Sequence, residues 1–462
     1  MALIRHSGRT SVEYLNRVLL FICEIASLCL PALINQAPLV YPDTRSYFMG
    51  GRAAIEKVAG LFAHHAGGGA SVEATVQKAR GVRSAFYALF TYIPAVSVSL
   101  WLVIVLQAII VASVLRLLFR LAIPGRERWQ TTAFIVALAL LTTVSWATCN
   151  VMPDIFTSIM ALCIAITLVS WGEPGRRGWF WLTLGIGGSM VMHMTNLPIA
   201  LGLLVVGGVM IRKPIWHKRH RYMVVSQAII GGVAAMLVVG VVGFHQWTIA
   251  PQSPPFLLAR SLQDGPGRLY LLKHCPQIGL DMCKHLDKLD LTTEKFIWDD
   301  DGVYSAASPE EEAQLRAEDK GIYIAAALEH PWMQAAAMAR NAFVQLITFG
   351  IYEYYIPSWA EYTTSDMKLH IPYQAPWQTV ISVVEYGIVF GSLGFIAFSW
   401  RTLPLPLRQL AIMMIATVLL EALAGAISEP VPRYEARVIW LIPMTALLIW
   451  FSSHRAWHLN RA

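Results

Sequence analysis

Two short stretches, YPDTR at 41–45 and MPDIF at 152–156, each place an aspartate directly after a proline and beside a long apolar run. Proline stiffens the chain at that point and so fixes where the carboxylate is aimed. A carboxylate held at a membrane surface can take a proton from an acceptor hydroxyl as a general base. Asp43 is the first candidate for that role and Asp154 the second. The pair can divide the work of base and orienting group, or share a divalent metal ion. Plainer readings compete: Asp after Pro is ordinary turn chemistry, and Asp154 can cap the positive end of the helix that follows it.

A second set is cationic. Arg433 and Arg437 in EPVPRYEAR have the planar fork that grips phosphate through two parallel hydrogen bonds. Pairing with Glu429 or Glu435 in the same loop is the simpler use for them. Arg45 beside Asp43 is a further candidate phosphate contact, and Lys273, in a stretch that also holds Arg260, Arg268 and His274, is either another anion contact or only part of a solvated surface. His193 and Asn196 sit at the turn HMTN, where they either line the site or only bond a neighbouring helix, and Tyr47 and Tyr434 are expected to line a substrate. Glu24, Glu385 and Glu421 lie inside apolar runs, where an acid is functional by default, although an interhelical hydrogen bond explains each equally well.

Cys275 and Cys283 are eight residues apart in a polar segment, and a disulfide is expected there because it pins a loop with little core of its own. Zinc held by His274, Cys275, Cys283 and His285 is the competing reading, with a spacing that matches no standard ligand pattern. WDDDG at 298–302 lacks the twelve-residue calcium pattern and reads as a turn. The sequence contains no nucleophile elbow, Walker loop or HExxH arrangement.

The elements that must hold these groups are membrane helices. Of 462 residues 56% are hydrophobic and 14% charged, against roughly 45–50% and 25% in soluble domains. Apolar runs predict an all-α polytopic fold with about ten spans: 15–35, 94–116, 131–149, 155–171, 179–192, 197–211, 222–247, 377–400, 410–428 and 438–452. The first run is full length and reads as a span rather than a cleaved signal. The short pair 179–192 and 197–211 reads as a hairpin turning at HMTN. The chain thus divides into an N-terminal membrane module (1–247), an outer insert (248–376) and C-terminal membrane helices (377–462). The first outer loop, 36–93, carries amphipathic pieces broken by AGGGA at 66–70. In the insert, HPWMQAAAMARNAF reads as an amphipathic helix at the membrane.

Charge orients the bundle. Eighteen of the 36 Lys and Arg fall at the N-terminus, in 116–130, 172–178, 211–222 and 401–409, and at the C-terminus. Those segments hold only Glu13, Glu127 and Glu173 as acids. By the positive-inside rule both termini face the cytoplasm. The net charge of +7 then reflects topology rather than nucleic-acid binding. The Pro-Asp units, HMTN, the insert and EPVPRYEAR all fall on the outer face.

With these residues in place the chain resembles the GT-C superfamily, the C-type membrane glycosyltransferases. YPDTRSY matches the acidic site those enzymes carry after their first span, and NVMPD is similar to their second acidic site. GVRSAFYALF is similar to their arginine-aromatic-proline stretch, the fifth and sixth spans to their shallow hairpin, and PRYEAR to the Arg-Tyr pair near their last spans. Asp43 is followed by Thr44 where many relatives carry a second acid, and the large soluble C-terminal domain of some members has no counterpart.

The resemblance implies transfer of a sugar from a polyprenyl-phosphate carrier to a glycan, lipid or protein acceptor of the envelope. It implies inversion, Asp43 as base, no required cofactor, and a site facing the periplasm of a bacterial inner membrane. Three rivals stand beside it, one of them a non-catalytic assembly or anchoring protein. A polysaccharide polymerase or ligase uses lipid-linked glycans and outer arginines, and a lipid or solute transporter would use Glu24, Glu385 and Glu421 as a polar path.

Overall fold

A computed structural model describes residues 2–62, 83–169, 171–210, 219–351, 354 and 376–459. Its regular structure is helical, with one isolated parallel bridge between Leu39 and Asn150 among the described residues. Among the described residues, five stretches are long and apolar enough to cross a membrane: Leu100–Ala122, Arg219–Phe244, Gln378–Thr402, Leu405–Ile427 and Pro432–Ser453. The protein is a helical membrane protein. AGGGA at 66–70 lies outside the described residues.

Several of the ten expected spans are shorter or interrupted. The first is a helix Ala2–Leu28 that breaks at Cys29 and resumes as Leu30–Asn35, because Pro31 has no N–H for the ladder. The run 131–149 divides into Arg128–Leu141 and Val144–Cys149. At that break the Thr142 hydroxyl bonds the Leu138 carbonyl at 2.7 Å and Thr143 bonds the Ala436 carbonyl at 2.6 Å. The last run divides into Pro432–Ile439, the mouth helix, and Leu441–Leu459.

Helix Asp154–Leu168 is buried at every residue and forms the centre of the bundle. Fifteen residues rise only about 22 Å, too short to cross a bilayer unaided, so it is carried by its neighbours. The hairpin Gly175–Met192 and Asn196–Met210 packs against it and turns at His193, as the sequence implies.

The described residues of the segment 36–93 are mainly helical. Pro42–Phe62 packs against Ala85–Ser97, where Ser84 caps the second helix by accepting the Tyr87 N–H. Lys57 donates to the Gly243 carbonyl at 2.6 Å, which ties the loop to the end of Arg219–Phe244.

The insert has a core of its own, contrary to expectation: Leu258, Leu271, Met282, Phe296, Ile297 and Leu315 are buried together around Cys275. Apolar positions spread over five short segments are hard to recognise as one core. Cys275 and Cys283 are disulfide-bonded. His274 and His285 turn to Glu329 (2.9 Å) and Glu311 (2.8 Å), so the zinc reading does not hold. WDDDG is a turn, and the amphipathic helix runs from Pro331 to Ile347.

Candidate functional site

The two Pro-Asp units are stitched together. Leu39 donates its N–H to Cys149 and accepts that of Val151, at 2.9 and 2.8 Å. Thr44 does the rest: its hydroxyl accepts the Tyr41 N–H at 2.9 Å and donates to the Val151 carbonyl at 3.1 Å. A second acid at position 44 could not donate that bond when ionised, so Thr44 has a structural use. Pro42 occupies the first turn of its helix, where no N–H is missed, and Asp43 follows beside it.

Each carboxylate then meets its own guanidinium. Arg83 bonds Asp43 directly. Its Cζ also lies 5.8 Å from the centre of the Tyr47 ring and 5.7 Å from that of Trp298. Asp154 does not cap its helix through its side chain. Instead it faces Arg437 at 3.2 Å and Arg433 at 3.7 Å. Neither arginine pairs with Glu429 or Glu435. Arg437 is fully buried and donates to Glu421 at 2.6 Å and to Thr195 at 2.9 Å. Arg433 stacks on Tyr41, with its Cζ 3.7 Å from the ring centre, and Tyr434 lies 5.3 Å from Arg433 and 4.8 Å from Arg437. The cations thus reach across both Pro-Asp units.

The mouth helix is fixed on both sides. Ser158, one turn into the central helix, bonds the Arg437 carbonyl, and the Trp440 indole donates to both Ser158 and that carbonyl, at 3.1 and 3.0 Å. On the other side, Gln345 of the outer helix exchanges two hydrogen bonds with the Val431 backbone, at 2.8 and 3.0 Å.

His193 reaches the cluster through Thr195, whose N–H and hydroxyl lie 3.3 and 2.8 Å from its Nδ1, and its ring is 6.4 Å from that of Tyr434. Tyr47 is buried against Tyr87 within electrostatic reach of Asp43, Asp154, Arg83 and Arg433.

Three expected site residues belong elsewhere. Asn196 is buried with both ends of its amide used, on Thr157 (2.7 Å) and Ser189 (2.8 Å), and so locks the hairpin to the central helix. Arg45 is exposed, two residues from Asp43 and hence about 200° around the helix from it. Lys273 is exposed in the insert and holds Glu329 at 2.6 Å. Lys273 and His274 together keep the Glu329 carboxyl down at about 2. Tyr41, Thr195 and Gln345 do not stand out in the sequence as site residues, Thr44 stands out only as the residue after Asp43, and Arg83 only as part of GVRSAFYALF, as the cation ahead of an aromatic run.

The cluster sets Arg83, Arg433 and Arg437 against Asp43, Asp154 and Glu421, with Glu435 buried nearby. Among the described residues, the second oxygens of Asp154 and Glu421 and the Nε of Arg437 have no hydrogen-bond partner. Buried polar groups are almost always satisfied, and such bonding capacity suits a polar ligand. The residues do not suit a shared metal at Asp43 and Asp154, because three guanidinium groups already face those carboxylates. No known protein family, curated protein or solved structure matches this chain.

Proposed function

We propose that this chain is an integral membrane glycosyltransferase of the GT-C type. In this reading it carries about ten crossings, with both termini cytoplasmic and the cluster at the outer face. It moves a sugar from a polyprenyl-phosphate carrier to an envelope glycan, lipid or protein, with inversion. The observation that carries the reading is the division of charge. One carboxylate, Asp43, stands with a single arginine and a partly exposed side chain, while a separate buried pair of arginines gathers on Asp154.

The donor enters sideways from the lipid and sets its phosphate against Arg433 and Arg437. Asp43 takes the proton of the acceptor hydroxyl as that oxygen bonds the anomeric carbon. The bond from that carbon to the phosphate oxygen breaks, and its electron pair leaves on polyprenyl phosphate. Fixed guanidinium groups meet the developing charge without protonating it. Arg83 orients Asp43, while Asp154 orients the two arginines. Positioning supplies much of the rest.

The transporter reading loses support because Glu24 is buried against Arg116 (2.5 and 2.9 Å) and Thr132 (2.6 Å), and Glu421 is taken by Arg437. These acids act as interhelical locks. The polymerase or ligase reading draws on the same arginines and makes no use of Asp43.

The reading is tested by presenting purified protein in lipid nanodiscs with a panel of polyprenyl-phosphate sugars and a membrane glycolipid extract. Release of polyprenyl phosphate that depends on the extract, with inverted anomeric configuration in the product, is expected. No turnover of any donor would overturn it.

A further inference from the structure

The insert contributes one aromatic side chain to the neighbourhood of Asp43. Trp298 ends the short helix Thr293–Trp298, and its ring centre lies 5.7 Å from the Cζ of Arg83, the residue that holds Asp43. Tyr47 stands at almost the same distance, 5.8 Å, so Arg83 is flanked by one ring from the first outer loop and one from the insert. Yet Trp298 is 42% exposed, whereas Tyr47 is 2% exposed. A large apolar ring left open beside a catalytic carboxylate is a surface for something that arrives there.

The mounting of this ring is rigid. Phe296 and Ile297 anchor its helix in the insert core, Thr292 caps it, and Thr293 bonds Gln263 twice, at 2.7 and 2.8 Å. Phe256 supports the ring with its centre 6.3 Å away. The following turn is fixed by the Gly302 N–H on the Asp299 carbonyl at 2.9 Å. A Cβ on Gly302 would meet the Lys295 carbonyl at 2.3 Å, so the turn admits glycine alone. Lys288 donates to the Asp301 carbonyl at 2.7 Å, and the side chains of Asp299, Asp300 and Asp301 stay exposed. Three exposed acidic residues thus follow Trp298 directly in the chain.

We infer that Trp298 is the acceptor-stacking residue and that the acceptor presents an uncharged sugar ring. The inference rests on the transferase reading for the word acceptor, and on Trp298 itself for the sugar. A pyranose offers a face of C–H groups that packs on an indole face while its hydroxyls point sideways, one of them towards Asp43. Aromatic side chains supply such apolar area at low cost in conformational entropy. An anionic acceptor would meet Asp299, Asp300 and Asp301 and be repelled.

The test is saturation-transfer NMR on the full chain in nanodiscs free of sugar detergents. The probes are neutral methyl hexopyranosides beside a methyl glucuronide, and the proteins are the wild type, Trp298→Ala and Trp298→Phe. Saturation of the neutral sugar's ring protons is expected, at least tenfold weaker in Trp298→Ala, largely kept in Trp298→Phe, and weaker for the glucuronide. Trp298→Phe keeps an aromatic face, so its signal separates loss of stacking from loss of fold. Equal signals from wild type and Trp298→Ala, no signal with any sugar, or preference for the glucuronide would overturn the inference. The same preparations go through the polyprenyl phosphate assay. Failure there removes the transferase reading and leaves the sugar result to be judged alone.

Discussion

At the scale of single residues, the cluster is organised by which arginine each acid faces. Among the described residues the cation paired with Asp43 is Arg83, so Arg83→Ala should leave the base misdirected and lower turnover about 10–100-fold, the scale expected when a reacting group loses its positioning. Arg83→Lys restores charge without the fork and should recover only part of the rate; unchanged rates in both would remove Arg83 from the account.

Asp319 in the insert supplies a pH test. It accepts the Leu258 N–H at 2.8 Å, and burial pushes its carboxyl from 3.8 up to about 6. The folded state thus holds the proton more tightly than the unfolded one. Its contribution is fully present below about pH 4 and is lost as pH rises through about 6. Compared with Asp319→Asn, the wild type should gain stability on going from pH 7 to pH 4, on the order of 2 kcal/mol. Thermal unfolding of both proteins across that range is the measurement, and a constant difference between them would contradict it.

At the scale of elements, the mouth helix is as well placed as the two contacts that hold it. Gln345 binds the Val431 backbone from the outer helix, and it does so at close quarters, since a Cβ on Gly425 would meet its side chain at 2.6 Å. Gln345→Ala strands a buried N–H and carbonyl and should destabilise the protein by about 1–3 kcal/mol. Turnover should fall with it, because Arg433 and Arg437 ride on that helix; a stable but fully active variant would show that the helix is held elsewhere. In the insert, the Cys275–Cys283 bridge closes a short loop. Replacing both cysteines by serine should cost about 2–3 kcal/mol by the loop-entropy estimate, read as a lower unfolding temperature. No change would mean that the insert core alone holds that loop.

Much at this scale was legible in the sequence. The hairpin at HMTN, the outer amphipathic helix and the paired Pro-Asp units are local patterns, and each appears where proline, polarity or periodicity indicates. The partners were not legible. Arg83 is forty residues from Asp43 and Arg437 is 283 residues from Asp154. Nothing in an isolated stretch tells a phosphate-gripping arginine from one that neutralises an acid. Asn196 shows the converse: a polar residue at a membrane turn invites a functional reading until both ends of its amide are found occupied.

At the scale of the whole molecule, the arrangement sets a membrane bundle on one side and a disulfide-bridged insert on the other, with Asp43 and Arg83 near where Trp298 meets the first outer loop. Apolar runs announced the membrane class, but among the described residues five helices have the length and hydropathy to span unaided, against the ten expected. The difference lies in breaks at Cys29 and Thr142, in the short, wholly buried central helix, and in the two hairpin helices Gly175–Met192 and Asn196–Met210. A helix shielded by others need not match the bilayer, so hydropathy alone cannot count it. The central claim is that Asp43 activates the acceptor. The direct measurement is polyprenyl phosphate release by the wild type beside Asp43→Asn, each verified as folded. The account predicts a loss of about 100-fold or more in the variant, the range a general base contributes. Equal release by the two proteins would contradict it and return the site to its arginines.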